Sequence, residues 1–240
     1  MLEEIGKLEV KSLKAACVEE LERLIVSGRL AIGSAIPPER ELAERLGASR
    51  PVIHEAIVEL ASKGFVRVEP RKGAVVNDFY RHGTLAILET IVLKNGGEFP
   101  SDALADILAF RMLIETEASR LAAARRGEGY LDALRELVAR ETAPVSEARL
   151  DEISELDFEF HLIVAEASGS LIYPLLVNSF RPLYCRLIRR FYASVGCERD
   201  RVLDYHHRAA KAIGDGAEED AAAAMREMLE HGERVLGARS

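Results

Sequence analysis

The chain has 240 residues, 48% of them hydrophobic and 30% charged, with a formal net charge of −8 at pH 7. This composition excludes a disordered or fibrous chain and fits one large or two modest folded domains. No apolar run reaches the roughly 18 residues of a membrane-spanning helix, and the opening "MLEEIGKLEV" lacks the basic start and apolar block of a signal peptide, so the expected setting is the cytoplasm, with no membrane partner.

The first element, "SLKAACVEELERLIVSG", places Leu13, Cys17, Leu21, Leu24 and Ile25 at helical spacing and ends on a glycine. "PPERELAERLG" follows, with proline in its opening turn and Leu42, Ala43 and Leu46 on one face before Gly47 stops it. "SRPVIHEAIVELASKG" then opens on a serine cap with Pro51 in the first turn, carries an apolar stripe of Val52, Ile53, Ala56, Ile57 and Leu60, and ends at Gly64. "FVRVEPRKGAVVND" alternates Phe65/Arg67 with Val66/Val68, turns, and resumes at Ala74, Val75 and Val76, the pattern of a two-stranded hairpin.

Three helices, a tight turn between the second and third, and a hairpin make a winged helix-turn-helix. Its third helix enters the major groove tip first, so its first residues must be small or polar, and Ser49 and Arg50 meet that need. The helix N-terminus attracts a phosphate, and an arginine there can contact guanine through both arms of its fork. Charge agrees locally. Residues 1–76 hold 12 basic and 12 acidic side chains, so the whole net negative charge lies downstream, while Arg45, Arg50, Lys63, Arg67, Arg71 and Lys72 outnumber Glu55, Glu59 and Glu69 across residues 45–72. Taken alone, Ser49 and Pro51 would be ordinary caps; the preceding turn and the basic hairpin tip the reading to DNA.

The run "IVSGRLAIGSAIPPERELAERLGASRPVIHEAIVELASKGFVRVEPRKGAVV" resembles the N-terminal domain of the GntR family of bacterial transcription regulators. That resemblance implies DNA contacts at Arg40, Ser49, Arg50, Pro51, His54, Lys72 and Gly73. His54 departs from the family pattern, in which arginine is usual: a neutral imidazole offers one donor and one acceptor but neither the fork nor the permanent charge.

Downstream, seven further helical segments with almost no strand signal make an all-α bundle: "GTLAILETIVLKNGG", "DALADILAFRMLIETEASRLAAARRG", "YLDALRELVARE", "LDEISELDFEFHLIVAEASG", "LIYPLLVNSFRPLYCRLIRRFYASVG", "RDRVLDYHHRAAKAIGDG" and "EEDAAAAMREMLEHGERVLG". The fold class is thus mainly α, with a winged helix-turn-helix at residues 8–77 and a bundle at 78–238. Asp157 and His161 lie four apart on one helix face, and His206 on a later helix can join them around a divalent cation such as zinc or nickel. A surface pair and a satisfied core histidine are the bland alternative. The three cysteines, Cys17, Cys185 and Cys197, are odd in number without CxxC spacing and read as ordinary thiols.

The runs "FRMLIETEASRLAA", "ELDFEFHLIVAEASGS" and "HHRAAKAIGDGAEEDAAAAMREML" resemble the FCD effector domain of the FadR branch of the GntR family. Metal-binding members carry an aspartate and a histidine four apart and two more histidines; Asp157, His161 and His206 match, but the fourth position falls at Met228, a poor partner for such a metal, with His231 displaced around the helix. The resemblance implies a homodimer on a double-stranded DNA operator and an effector held in the bundle, with Arg111 and Tyr184 as expected contacts. A small carboxylate, metal-bound or not, is the leading effector. Runs such as "NDFYRHGTLAILETI" and the aromatic helix with Tyr173, Phe180, Tyr184, Phe191 and Tyr192 also resemble branch members that take a long-chain acyl-CoA without metal, although this chain has no tryptophan. A metal-dependent hydrolase or lyase on an α-bundle is a further alternative, but no second motif supplies a positioned base and the basic wing would have no use. No catalytic residue is expected.

Overall fold

The computed structural model describes residues 12–93, 99, 101–140, 149–195 and 199–237. The chain divides into two compact units, Met1–Glu98 and Phe99–Ser240.

In the first unit, α1 (Leu13–Val26) starts where the Ser12 hydroxyl accepts a hydrogen bond from the Ala15 amide, capping the helix. Cys17, Val18, Leu21 and Ile25 are buried along it, whereas Leu13 stays exposed. α2 (Glu39–Leu46) and α3 (Arg50–Lys63) are separated by three residues, the first of which, Gly47, has a φ of 63°, the left-handed conformation that ends α2 and turns the chain toward α3. The stripe Ile53, Ala56, Ile57 and Leu60 of α3 closes the core against Leu21, Leu42 and Phe65. Gly64 ends α3 at φ 89°, and a side chain there would sit 2.8 Å from the Gly83 Cα, so the site demands glycine for both its backbone and its neighbour.

The wing is antiparallel, β1 (Val66–Glu69) against β2 (Gly73–Val76), with Val66 opposite Val76 and Glu69 opposite Gly73. The expected alternation fails at its start. Phe65 and Val66 are both buried and Val68 is two-thirds exposed, because the hairpin leaves the core at Arg67 and its outer half is wet on both faces. The segment before α2 adds an edge: Ala35 bridges Val75, and Ile36 donates its amide to the Ala74 carbonyl.

The expectation placed the domain junction after residue 77, but the next segment packs with the first unit. α4 (Phe79–His82), a 3-10 turn (Leu85–Ile87) and α5 (Leu88–Leu93) follow the wing, and Phe79 and Ile87 complete the same core as α1 and α3. Glu22 on α1, buried, accepts hydrogen bonds from Lys63 of α3 at 2.9 Å and Thr90 of α5 at 3.1 Å.

Among the described residues of the second unit every regular element is a helix: α6 (Ser101–Arg125), α7 (Glu128–Arg140), α8 (Leu150–Ala167), α9 (Tyr173–Ser179), α10 (Arg181–Val195), α11 (Arg199–Asp215) and α12 (Glu218–Leu236). The single apolar helix expected from residue 171 onward is two, broken at Phe180 ahead of Pro182, where a proline suits the opening turn of a new helix. α6 packs on α8, α11 and α12, and α8 also on α7, α9 and α10. Alanines 118, 122 and 123 of α6 and 221 and 224 of α12 are buried in the shared core, and such small residues let the helices approach closely. Cys197 lies outside the described residues; Cys17 is buried and Cys185 half-buried, both as free thiols.

Candidate functional site

The expected DNA face is assembled at the start of α3 and the tip of the wing. Ser49 occupies the N-cap position with extended backbone, yet its hydroxyl makes no capping bond, so it is available to a ligand while α3 presents unsatisfied amides beside it. Pro51 sits in the first turn. Arg40 and Arg50 are exposed and, among the described residues, carry no ion pair. His54 is engaged: its Nδ1 lies 2.8 Å from Glu39 Oε1, which ties α3 back to α2.

At the wing the charges sort differently from the sequence expectation. Lys72 lies 2.9 Å from Glu69 Oε2, and Arg67 holds the other oxygen of Glu69 at 2.9 Å. Arg71, by contrast, is exposed, has φ 67°, and carries no ion pair among the described residues. Arg71 belongs to the basic stripe read from the sequence, but the family resemblance names only Lys72 and Gly73 at the wing tip. A non-glycine residue with positive φ is uncommon and marks a turn held open by its surroundings.

In the second unit, Asp157 and His161 on α8 and His206 on α11 are buried, with donor atoms all within 4.8 Å of one another. Asp157 Oδ1 lies 3.5 Å from His161 Nε2 and Asp157 Oδ2 lies 3.9 Å from His206 Nε2. The Tyr192 hydroxyl donates to Asp157 Oδ2 at 2.7 Å, and the Phe160 ring stacks on His206 with centroids 4.0 Å apart. Burial disfavours the Asp157 carboxylate, but the His161 hydrogen bond and the neighbouring histidine charges outweigh it and hold its pKa at about 2.

Two residues of α6 complete the cluster. Arg111 donates through Nε to Glu115 Oε1 at 2.8 Å, its Nη2 lies 3.1 Å from His161 Nε2, and its guanidinium stacks over the Tyr184 ring at 4.5 Å. Glu115 Oε2 lies 2.5 Å from His161 Nδ1. Burial opposes the Glu115 charge, yet Arg111 and His161 hold the carboxyl well below its usual range. Burial likewise disfavours a charged His161, but the Glu115 charge and the hydrogen bonds to Asp157 and Glu115 lift its pKa to about 9. With the ring charged, Nε2–H faces Asp157; with the ring neutral, Nε2 accepts from Arg111.

Arg111, Asp157, His161, Tyr205, Met228 and His231 are among the residues lining a cavity of about 50 Å³, the rest of whose lining is apolar. By the roughly 10–15 Å³ that one water-sized sphere occupies, it has room for a few waters or a small polar molecule. Tyr184 does not line it; fully buried, it supports Arg111 from behind. His231 faces the cavity between the Phe191 and Tyr205 rings without joining the three-residue cluster.

As a metal centre the set fits only in part. Asp157, His161 and His206 supply the right donor types at workable separations, and Glu115 behind His161 is the carboxylate that commonly orients a metal-bound histidine. Against this, Nε2, the His161 atom that faces Asp157, also faces the Arg111 cation. Glu115 went unnoticed in the sequence, although Arg111 and Glu115 at i, i+4 in "FRMLIETEAS" are the spacing that would have revealed it.

Comparison with known proteins bears on both units. The family described as "Bacterial regulatory proteins, gntR family" matches residues 13–76, and the FCD domain matches residues 106–231. The HTH-type transcriptional regulator Mce2R of Mycobacterium tuberculosis (strain CDC 1551 / Oshkosh) is 30% identical over 92% of this chain and 90% of its own. The fatty acid metabolism regulator protein of Enterobacter sp. (strain 638) is 30% identical over 80% of this chain and 77% of its own. A solved structure of Lar, which controls expression of the Listeria monocytogenes agr system, has a TM-score of 0.65 at 18% identity, covering 96% of this chain and 98% of that one.

Proposed function

The chain belongs to the GntR family of bacterial regulatory proteins, with an FCD domain behind its DNA-binding domain, and from that membership we propose that a small carboxylate in the α6–α8–α12 cavity modulates its grip on an operator. It is a DNA-binding transcription regulator with an effector-binding domain, and neither the family nor its relatives are enzymes. Among the described residues no helix is long and apolar enough to cross a membrane.

The observation that carries the effector reading is Arg111: a buried, permanently charged fork at the wall of a cavity of about 50 Å³. Arg111 pairs with Glu115 through Nε and meets His161 through Nη2, which leaves Nη1 to meet an incoming carboxylate. Tyr184 beneath the guanidinium fixes its plane. Zinc or nickel at Asp157, His161 and His206 would supply an alternative, divalent attachment point for the carboxylate, in place of the guanidinium. An acyl-CoA effector is the second reading, favoured by the likeness to fatty acid metabolism regulators. The cavity opposes it, being well below the roughly 300–1,000 Å³ of pockets that enclose larger ligands.

On the DNA side, Arg40, Ser49, Arg50 and Pro51 would meet phosphate and base edges at the tip of α3, His54 would contribute weakly from its pair with Glu39, and the wing tip at Arg71, Lys72 and Gly73 would follow the backbone. Reading a palindromic operator requires two copies, so the working form is a homodimer, whose two states the effector favours unequally.

The test is a calorimetric screen of small mono-, di- and hydroxycarboxylates against the full chain, paired with operator binding by fluorescence anisotropy at fixed salt. A carboxylate that binds and shifts operator affinity, and loses both effects in Arg111→Ala with DNA binding retained, supports the reading. Binding of an acyl-CoA thioester with no response to any small acid sinks it.

A further inference from the structure

His161 Nε2 is contested. It lies 3.1 Å from Arg111 Nη2 and 3.5 Å from Asp157 Oδ1, while Nδ1 on the other edge of the ring is 2.5 Å from Glu115. A metal ion bonds to histidine through a lone pair, and the opposite nitrogen then carries the hydrogen that faces the supporting carboxylate. Glu115 therefore leaves Nε2 as the only nitrogen able to take an ion. In the neutral ring that lone pair receives the Arg111 hydrogen; in the charged ring it carries a proton. Neither state offers it to a metal while Arg111 stays in place.

We propose that Arg111 is the resident cation of this cluster, and that its guanidinium and a divalent metal ion exclude one another at Asp157, His161 and His206. The two compete for one nitrogen atom and for the charge of the same carboxylate. Like charges this close in a buried site repel strongly, so an ion enters only when Arg111 withdraws. Space for the withdrawal exists: Arg111 itself lines the cavity of about 50 Å³, whose other walls are mainly apolar. Met228 on the cavity wall is a soft thioether that offers a divalent ion little compensation. The inference concerns metal and arginine alone and does not depend on the nature of the effector.

The decisive protein is Arg111→Gln with Glu115 kept, since Glu115 orients His161 so that Nε2 can take an ion and retains that ring as its partner. Arg111→Met is the second variant, and both are compared with the wild type and with Arg111→Gln carrying His161→Ala. Chelator-treated full-length proteins are titrated with zinc chloride by calorimetry, after circular dichroism has matched their helicity. The expected result is zinc binding at one ion per chain in the Arg111 variants, at least roughly tenfold tighter than in the wild type, and lost when His161 is also replaced. Equal or tighter binding by the wild type would overturn the proposal. So would an absence of zinc binding in a folded Arg111 variant, since the three donors would then make no site even without the guanidinium. Because the titrant is zinc alone, either outcome leaves the carboxylate reading to be decided by its own screen.

Discussion

His54 on α3 faces Glu39 on α2 at 2.8 Å, so the position where this family usually carries an arginine is joined to the supporting helix. His54→Arg would restore a permanent charge and a fork at the tip of the reading helix. The expected effect is tighter operator binding at low salt and a steeper dependence of log affinity on log salt, by about one unit, read by anisotropy titrations over a salt series. An unchanged slope would place the side chain away from the phosphates.

Arg71 and Lys72 are neighbours at the wing tip with opposite status: the first carries no ion pair among the described residues, the second is held by Glu69 at 2.9 Å. Arg71→Ala should lower affinity for operator and unrelated DNA alike and reduce the salt slope by about one. Lys72→Ala should do less, because part of its charge is already spent on Glu69. Arg50→Ala, in contrast, should flatten the preference for operator over unrelated DNA. If Lys72→Ala proves the more damaging wing change, the Glu69 pairing does not survive on DNA.

Glu22 holds Lys63 and Thr90 from a buried position in α1. Glu22→Ala removes the acceptor for both and leaves a half-buried lysine with only Glu59 at 3.3 Å. A loss of about 1–3 kcal/mol in the stability of the first unit is expected from urea denaturation followed by circular dichroism. A loss below the error of the extrapolation would mean that solvent replaces the acid at no cost.

The Cys185 thiol is pushed up to about 12, first by burial and then by the Glu155 charge. A raised thiol pKa means a smaller thiolate fraction at any pH below it, so alkylation should be slow at neutral pH and rise about tenfold per pH unit up to that value. Iodoacetamide labelling of the native protein at pH 7, 8 and 9, with the Cys185 peptide quantified by mass spectrometry, checks this. Labelling at pH 8 as fast as that of a free cysteine peptide contradicts the burial.

The helix-turn-helix could be read from the chain because its punctuation is local: Gly47 and Gly64 stop helices by their own backbone freedom, and the α3 stripe has an unmistakable period. Where the segment after the wing belongs was not legible, since Phe79 and Ile87 are apolar residues whose partners lie tens of positions upstream and would suit either unit equally well. The break at Phe180 was masked by apolar residues on both sides of it. In the bundle, Asp157, His161 and His206 were found from spacing and residue type, and the structure does bring them together. Arg111 is expected as an effector contact from the family resemblance alone; that it and Glu115 meet at His161, some forty-five to fifty residues away in the chain, emerges only in three dimensions.

The contact of Gly64 with Gly83 gives α3 a fulcrum. The helix has 14 residues, about 21 Å of stiff rod, with Arg50 at one end and this close backbone approach at the other. The bond from Thr84 Oγ1 to the Lys63 carbonyl and that from Asn77 Nδ2 to the Gly64 carbonyl pin the same end. A displacement of Gly83 or Thr84 therefore acts directly on the base of the rod. A tilt of about five degrees there swings the Arg50 end by roughly 2 Å, more than half the length of a hydrogen bond, so a displacement too small to disturb the core is enough to disengage the tip from a base edge.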